Sequence, residues 1–289
     1  MNILILIKKI EGGVGSATDG ICKELEKKGH HIKIISREDN LKIYSLFYSL
    51  FKIRDIIKDD GKSYDIIYTQ DWSMALPLIF PSRLVKNKHY SCFHGRERNI
   101  FSSIIQKIVG KILGKRLIVV GDSLKKIFPK SSLIYNGVDT LKFKPSKKEY
   151  AKKNSLGFSN WATEEYHFHK IEEAAKELGK NLIVAKGRPH NEMPKFYNKV
   201  ETFISLPPNY TGFNLVWVEA MASGVKKIVG NNAGIGKNLP ITKIEDYKND
   251  IKEAIINAKS RDYRKWVIKN KFTLKDAAKK IEKIFENES

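Results

Sequence analysis

The chain is short of cysteine, acid and long apolar runs, and each shortage excludes something. Two cysteines in 289 residues, Cys22 and Cys92, cannot form a disulfide framework or a four-ligand zinc site, so a reducing, cytoplasmic setting is expected. No apolar run approaches the ~18–20 residues of a spanning helix, and the opening Met-Asn-Ile-Leu-Ile-Leu-Ile is too short for a secretion signal. No segment recurs at a fixed period, which sets solenoids and propellers aside. Asp and Glu number 32 against 53 Lys and Arg, a formal net charge of +21. A field of that sign attracts polyanions: anionic lipid head groups, nucleic acid or a phosphorylated substrate. The excess is uneven, with twelve basic and two acidic residues between positions 83 and 130, a local +10. Charge spread over solvated faces is the plain alternative. At 42% hydrophobic and 10% aromatic the chain is no disordered segment, and its length suits two domains.

The first half alternates strands and helices. Asn2–Ile7 is a continuous Ile-rich run, as expected of a parallel strand buried on both faces. Glu11-Gly12-Gly13-Val14-Gly15-Ser16 reads as a loop and residues 17–28 as an amphipathic helix ended by Gly29. Further strands are expected at 31–36, 65–69, 88–93 and 116–120, with helical patterns between them, including 41–58 and 100–113. A second alternating block follows residues 146–154, a polar, lysine-rich linker. It places helices at 164–178, 192–197, 214–222 and 246–258 and strands at 181–185, 202–206 and 226–229. Residues 274–287 close the chain as an amphipathic helix. This rhythm predicts α/β architecture with two Rossmann-like domains, 1–145 and 146–289. The terminal helix belongs to the second or packs back on the first. Tandem domains of this kind imply a ligand cleft at the carboxyl ends of their sheets.

Three segments carry chemistry. Gly12, Gly13 and Gly15 follow a buried strand, where glycines let backbone approach a ligand and a helix N-terminus favours an anion. The segment is neither the Gly-x-Gly-x-x-Gly fingerprint nor a P-loop, and a tight turn is its simplest reading. Residues 211–224, Thr-Gly-Phe-Asn-Leu-Val-Trp-Val-Glu-Ala-Met-Ala-Ser-Gly, are more specific. A proline loop delivers the chain to a helix beginning near Asn214, where free N–H groups of Leu215 and Val216 suit a diphosphate. Glu219 then suits vicinal ribose hydroxyls. Tyr135-Asn136-Gly137-Val138-Asp139, with Phe143-Lys144-Pro145, supplies a turn and a hinge between the blocks.

In this order the pieces resemble the GT-B retaining glycosyltransferases of glycosyltransferase family 4 (glycosyl transferases group 1). Gly12/Gly13/Gly15, His94-Gly95, the Asn136–Pro145 segment, Met193–Asn198 and the stretch from Gly212 to Gly224 carry the resemblance. It spans nearly the whole chain. Two positions depart from the family pattern. Thr211 stands where the first glutamate of the acidic pair is usual. The family's basic pair has no arginine at its expected place, from Gly157-Phe158-Ser159-Asn160-Trp161 through His169-Lys170. Lys170, or Lys186 and Arg188 on the next loop, become the candidates for the diphosphate.

The resemblance implies a two-domain GT-B fold facing across a cleft and transfer of a hexose from a UDP- or GDP-linked sugar, with retention. Thr211, Gly212, Phe213, Asn214, Leu215 and Val216 would bind the donor, Glu219 its ribose, and His94 would lie near its sugar. The glycine loop would close from the other domain. His94 and Glu219 are thus the expected catalytic residues. No metal or cofactor is expected, because helix dipoles and basic side chains stabilise the leaving diphosphate, and the remaining histidines make no metal-ligand pattern. The acceptor is expected to be a glycan or glycolipid, with peripheral contact to an anionic membrane. A nucleic-acid acceptor suits the charge, although few aromatics interleave the basic residues. A non-catalytic sugar-nucleotide-binding protein is the alternative of another class. Within the basic stretch, Ile100, Ile104, Ile105, Ile108 and Ile112 line one helical stripe beside Lys107 and Lys111, and this stripe is expected to face the core.

Overall fold

The computed structural model describes residues 1–60, 63–79, 88–146, 151–159, 163–245 and 250–287. The chain forms two compact units: Met1–Asn136 with Leu274–Ser289, and Gly137–Thr273.

The first unit is built on a six-stranded, all-parallel sheet of order β2-β1-β3-β4-β5-β6. Its strands are β1 (Asn2–Ile7), β2 (His31–Ser36), β3 (Ile66–Gln70), β4 (His89–Phe93), β5 (Leu117–Val119) and β6 (Ser132–Leu133). Every residue of β3 and β4 is buried, as a strand covered on both faces requires. The helices are α1 (Gly12–Glu26), α2 (Leu46–Asp60), α3 (Trp72–Ile79), α4 (Ile100–Leu113), α5 (Asp122–Ile127) and α11 (Leu274–Glu286). The chain's last helix, α11, lies against α1. Gly20 makes this approach feasible, since a Cβ there would lie 2.5 Å from Leu274. Phe285 seats its ring 5.4 Å from Tyr68 and 5.0 Å from Tyr90, and Glu282 pairs with Lys28 and His30.

The stripe on α4 corrects the sequence expectation. Gln106, Val109, Gly110 and Leu113 are the buried residues of this helix, while Ile100, Ile104, Ile108 and Ile112 are exposed. Of the expected stripe, Ile105 alone packs on the core cluster around Phe93 and Leu117. The reason is steric and polar. Gly110 admits the Phe128 ring, which a Cβ would meet at 2.3 Å, and Gln106 turns inward to donate to the Gly95 carbonyl at 2.8 Å.

The second unit carries a five-stranded parallel sheet of order β11-β10-β9-β7-β8. Its strands are β7 (Lys152–Phe158), β8 (Asn181–Val184), β9 (Val200–Ile204), β10 (Lys227–Gly230) and β11 (Thr242–Lys243). Its helices are α6 (Phe168–Glu177), α7 (Met193–Asn198), α8 (Leu215–Ala222), α9 (Asp250–Ile256) and α10 (Tyr263–Lys269). Strand β7 begins inside the stretch expected as a linker. Lys152, Lys153 and Asn154 are exposed, which hid the strand, whereas Ser155 to Phe158 are buried between β8 and β9. Gly157 further masks it, although a Cβ there would press on Val200 at 2.7 Å. The helix expected over 246–258 is described from Asp250 onward.

Candidate functional site

In the second unit the chain leaves β9 through Pro207 and Pro208 and is fixed before it enters α8. Asn231 donates its side-chain amide to the Pro207 carbonyl at 2.8 Å, and the Thr211 N–H bonds the Pro208 carbonyl at 3.0 Å. Gly234, at φ +53°, lies so near that an added Cβ would stand 3.0 Å from the Thr211 oxygen and 3.1 Å from that of Gly212. A side chain at Gly234 would therefore displace the segment that opens the helix. Gly212, Phe213 and Asn214 are buried, and Thr211, Leu215 and Val216 are half-buried. Asn214 occupies the N-cap but spends its amide on Ser205 Oγ at 2.9 Å, and no side chain caps the helix. The first N–H groups of α8, at Leu215 and Val216, thus open the helix without a side-chain acceptor, an arrangement suited to an anion.

Glu219 lies one turn into α8 and is only 3% exposed. Tyr197 on α7 donates its hydroxyl to Oε2 at 2.8 Å, and His190 Nε2 stands 2.7 Å from Oε1. Burial, and then the Glu219 charge, push the Tyr197 phenol well above its ordinary range, so it stays a donor. Lys142 Nζ approaches His190 Nδ1 at 3.2 Å. An ammonium can only donate, so Nδ1 accepts, and Nε2 carries the proton given to Glu219. Phe143 packs its ring 5.4 Å from that of His190 and 6.1 Å from that of Tyr197. The order Lys142, His190, Glu219, Tyr197 is a continuous chain of polar contacts walled by an aromatic ring.

The basic candidates are dispersed. Lys170 is half-buried in the first turn of α6, and Lys186 and Arg188 are exposed on the loop after β8. Arg188 pairs with Glu192 at 3.6 Å and lies over the Phe196 ring. Asn160 and Trp161, in the segment where a basic pair was expected, lie outside the described residues.

In the first unit the glycines belong to the opening turn of α1 rather than to a loop before it. The helix starts at Gly12, whose φ is +84°, and Gly12 and Gly13 face open space. Gly15 is the tightly held member, since a Cβ there would lie 1.5 Å from the Ile10 carbonyl oxygen. His94 follows β4, with Nε2 2.8 Å from Oε1 of Gln70 at the end of β3. Burial lowers its pKa to about 4, so the ring is neutral near pH 7. His94 Nδ1 and Gln70 Nε2 are buried with no hydrogen-bond partner. Beside Gln70, Asp71 adopts φ +77°, and burial raises its carboxyl to about 6.

Sequence reasoning missed His190, Tyr197, Gln70 and Asp71. Tyr197 and Glu219 are 22 positions apart on separate helices, so no local pattern pairs them. Among the described residues no group of three or more His, Cys, Asp or Glu side chains could hold a metal ion. No helix there is long and apolar enough to cross a membrane.

No protein-family model matches the chain, and no curated protein matches it by sequence. Solved structures do. Sucrose-phosphate synthase from Thermosynechococcus elongatus superposes with a TM-score of 0.75 at 15% identity, covering 99% of both chains. A glycosyltransferase from Rickettsia africae gives 0.71 at 18% identity, over 99% of this chain and 98% of that one. Anabaena Alr3699/HepE, in complex with UDP and glucose, gives 0.69 at 15%, over 99% and 100%. These likenesses show the fold: two parallel-sheet α/β domains of the GT-B type.

Proposed function

We propose that this chain is a glycosyltransferase that moves a hexose from a UDP- or GDP-linked sugar to an acceptor hydroxyl. The observation that carries the reading is Glu219, a buried carboxylate one turn inside a helix that opens without a side-chain cap. Each of its oxygens keeps a lone pair beyond those used by His190 and Tyr197. A vicinal diol can therefore add to the existing bonds without breaking them. The diphosphate would meet the N–H groups of Leu215 and Val216, helped by Lys170, Lys186 or Arg188. The UDP and glucose bound to Alr3699/HepE support a nucleotide-sugar donor here.

His94 is the proposed sugar contact. Its neutral ring offers Nδ1, and the neighbouring Gln70 offers Nε2, as hydrogen-bonding groups that the protein leaves unused. The proposed chemistry retains the anomeric configuration and needs no metal, with the helix dipole and cations stabilising the leaving diphosphate. The proposed acceptor is a glycan or glycolipid. Thr211, in place of the family's usual glutamate, favours a second reading, a protein that binds sugar nucleotide without turnover.

The test is calorimetry with UDP and GDP, followed by donor hydrolysis with a panel of UDP- and GDP-hexoses, with and without EDTA. Binding with slow hydrolysis that survives chelation is expected. Binding without any hydrolysis would leave the binder, and absence of binding would end both readings. Loss of turnover in EDTA, restored by magnesium, would overturn the metal-free step. An inverted product anomer by NMR would overturn retention.

A further inference from the structure

We propose that the outer face of α4 docks on an anionic lipid bilayer. The inference rests on α4 and its flanks alone, and stands or falls apart from the donor site.

The helix presents an apolar ridge where a solvated face should be polar. Ile100 and Phe101 are 79% and 71% exposed, and Ile104, Ile108 and Ile112 are 50%, 49% and 46% exposed. At 100° per residue these five, with Lys107 and Lys111, share one arc of about 140°. The buried Gln106, Val109, Gly110 and Leu113 lie on the opposite side. Five large apolar side chains together on one exposed helical face call for a partner.

Charge identifies that partner. From Arg96 to Arg116 the chain carries six basic residues and one acid, Glu97. Glu97 is turned inward, accepting from Trp72 Nε1 at 2.6 Å, so the face itself presents only cations. Asn99, a neutral residue, caps the helix through bonds to the N–H groups of Phe101 and Ser102. A second copy of the chain would set Lys107 and Lys111 against their own images. A nucleic-acid backbone would take the lysines but leave the isoleucines in water. An anionic bilayer accepts both, the lysines at its phosphates and the apolar ridge at the acyl boundary.

The experiment is co-sedimentation of the full chain with phosphatidylcholine vesicles, with and without phosphatidylglycerol, beside a DNA duplex, at roughly 0.15 M ionic strength. Binding to the anionic vesicles alone is expected. Ile104→Ser/Ile108→Ser should weaken it at least tenfold, and Lys107→Gln/Lys111→Gln should weaken it and flatten its salt dependence. Both variants alter exposed side chains, and an unchanged thermal melt verifies the fold. Because Cys22 and Cys92 are buried, an Ile112→Cys variant takes an environment-sensitive dye at one place. Its emission should shift to the blue on anionic vesicles, whereas dye at Glu26→Cys on α1 should not. No binding to anionic vesicles, equal binding by the serine variant, or preference for DNA would overturn the proposal. So would a wild-type dimer that the serine variant dissociates.

Discussion

At the end of β9 in the second unit the polar groups answer one another. Glu219 has a donor on each oxygen, and His190 has a partner on each ring nitrogen. At the ends of β3 and β4 in the first unit they do not, since His94 Nδ1 and Gln70 Nε2 are buried and unpartnered. Both places are carboxyl edges of parallel sheets, and the sequence supplies each with a buried polar residue. The difference is where the cost lies. An unmet buried donor or acceptor costs about 1–3 kcal/mol, so the first edge holds hydrogen-bonding capacity that a ligand can claim. The Glu219 network in the second unit has its bonds already made, and contributes to stability before any ligand arrives.

The largest effect should come from breaking the satisfied edge. Glu219→Ala removes two hydrogen bonds to a charged acceptor, worth roughly 1.5–3 kcal/mol each, and strands the Tyr197 hydroxyl. Urea unfolding should show the second unit destabilised by about 3–6 kcal/mol, and calorimetry should show UDP or GDP affinity reduced by roughly 1.5–3 kcal/mol. Intact stability would mean that the network contributes nothing. Arg264 offers the next break. Its guanidinium donates to the carbonyls of Thr140, Phe143 and Ala222 at 2.9, 2.7 and 2.7 Å, tying the segment that bears Lys142 and Phe143 to the end of α8. Arg264→Ala should cost about 2–4 kcal/mol, below the full charged-donor value for three bonds, because the half-buried guanidinium is partly solvated and water can reach the carbonyls it leaves. Its KM for donor should rise more than its kcat falls, as the His190 support loosens.

The unsatisfied edge should behave in the opposite way. Replacing both members with apolar residues, Gln70→Leu/His94→Phe, removes the orphaned atoms together and should leave stability within about 1.5 kcal/mol, or raise it. Transfer should fall about 10²-fold or more, the usual contribution of a positioned proton-transfer or hydrogen-bonding group. A stability loss as large as that of Glu219→Ala would erase the contrast. A pH dependence gives a further test, graded by the pH chosen. Burial lowers His89 to about 3, and its Nε2 is 3.0 Å from Thr69 Oγ1. The unfolded chain takes up this proton near pH 6.5 and the folded one only near 3. Stability is therefore fully present above about 6.5 and declines as pH falls, with a limiting slope of roughly 1.4 kcal/mol per pH unit from this group. His89→Gln should flatten the acid limb of the first unit's unfolding curve between pH 6 and 4.

Much of the fold was legible because its signals were local. The Ile run of β1, the alternation of elements and the Asn214–Ala222 segment all declare themselves within a few residues, and the structure places strands and a helix there. The failures arose where a distant partner decides. Lys152 and Asn154 made the start of β7 look like a linker, because the neighbours that cover its other half, β8 and β9, are 25–50 positions away. On α4 the more apolar face is the exposed one, so periodicity found the helix and chose the wrong side. The residue that settles the orientation, Gly110, looks in sequence like a mere helix weakness. At the site, Glu219 was legible from its segment, whereas His190 and Gln70 are conspicuous only through the atoms they face.

The position of α11 also sets an order of events during synthesis. This helix follows the second unit in sequence yet completes the first, covering Gly20, Tyr68 and Tyr90 through Leu274 and Phe285. A nascent chain that has made all six strands of the first sheet must still wait for residues Gly137–Thr273 to emerge, on the order of 10 s at ribosomal speed. Throughout that interval the inner face of α1 lacks its cover, and the second unit can close first, against the usual N-to-C order. A chain that stalls near Thr273 would therefore present a finished second unit and an open first one. The surface it offers to chaperones and proteases at that moment lies in the part that was made earliest.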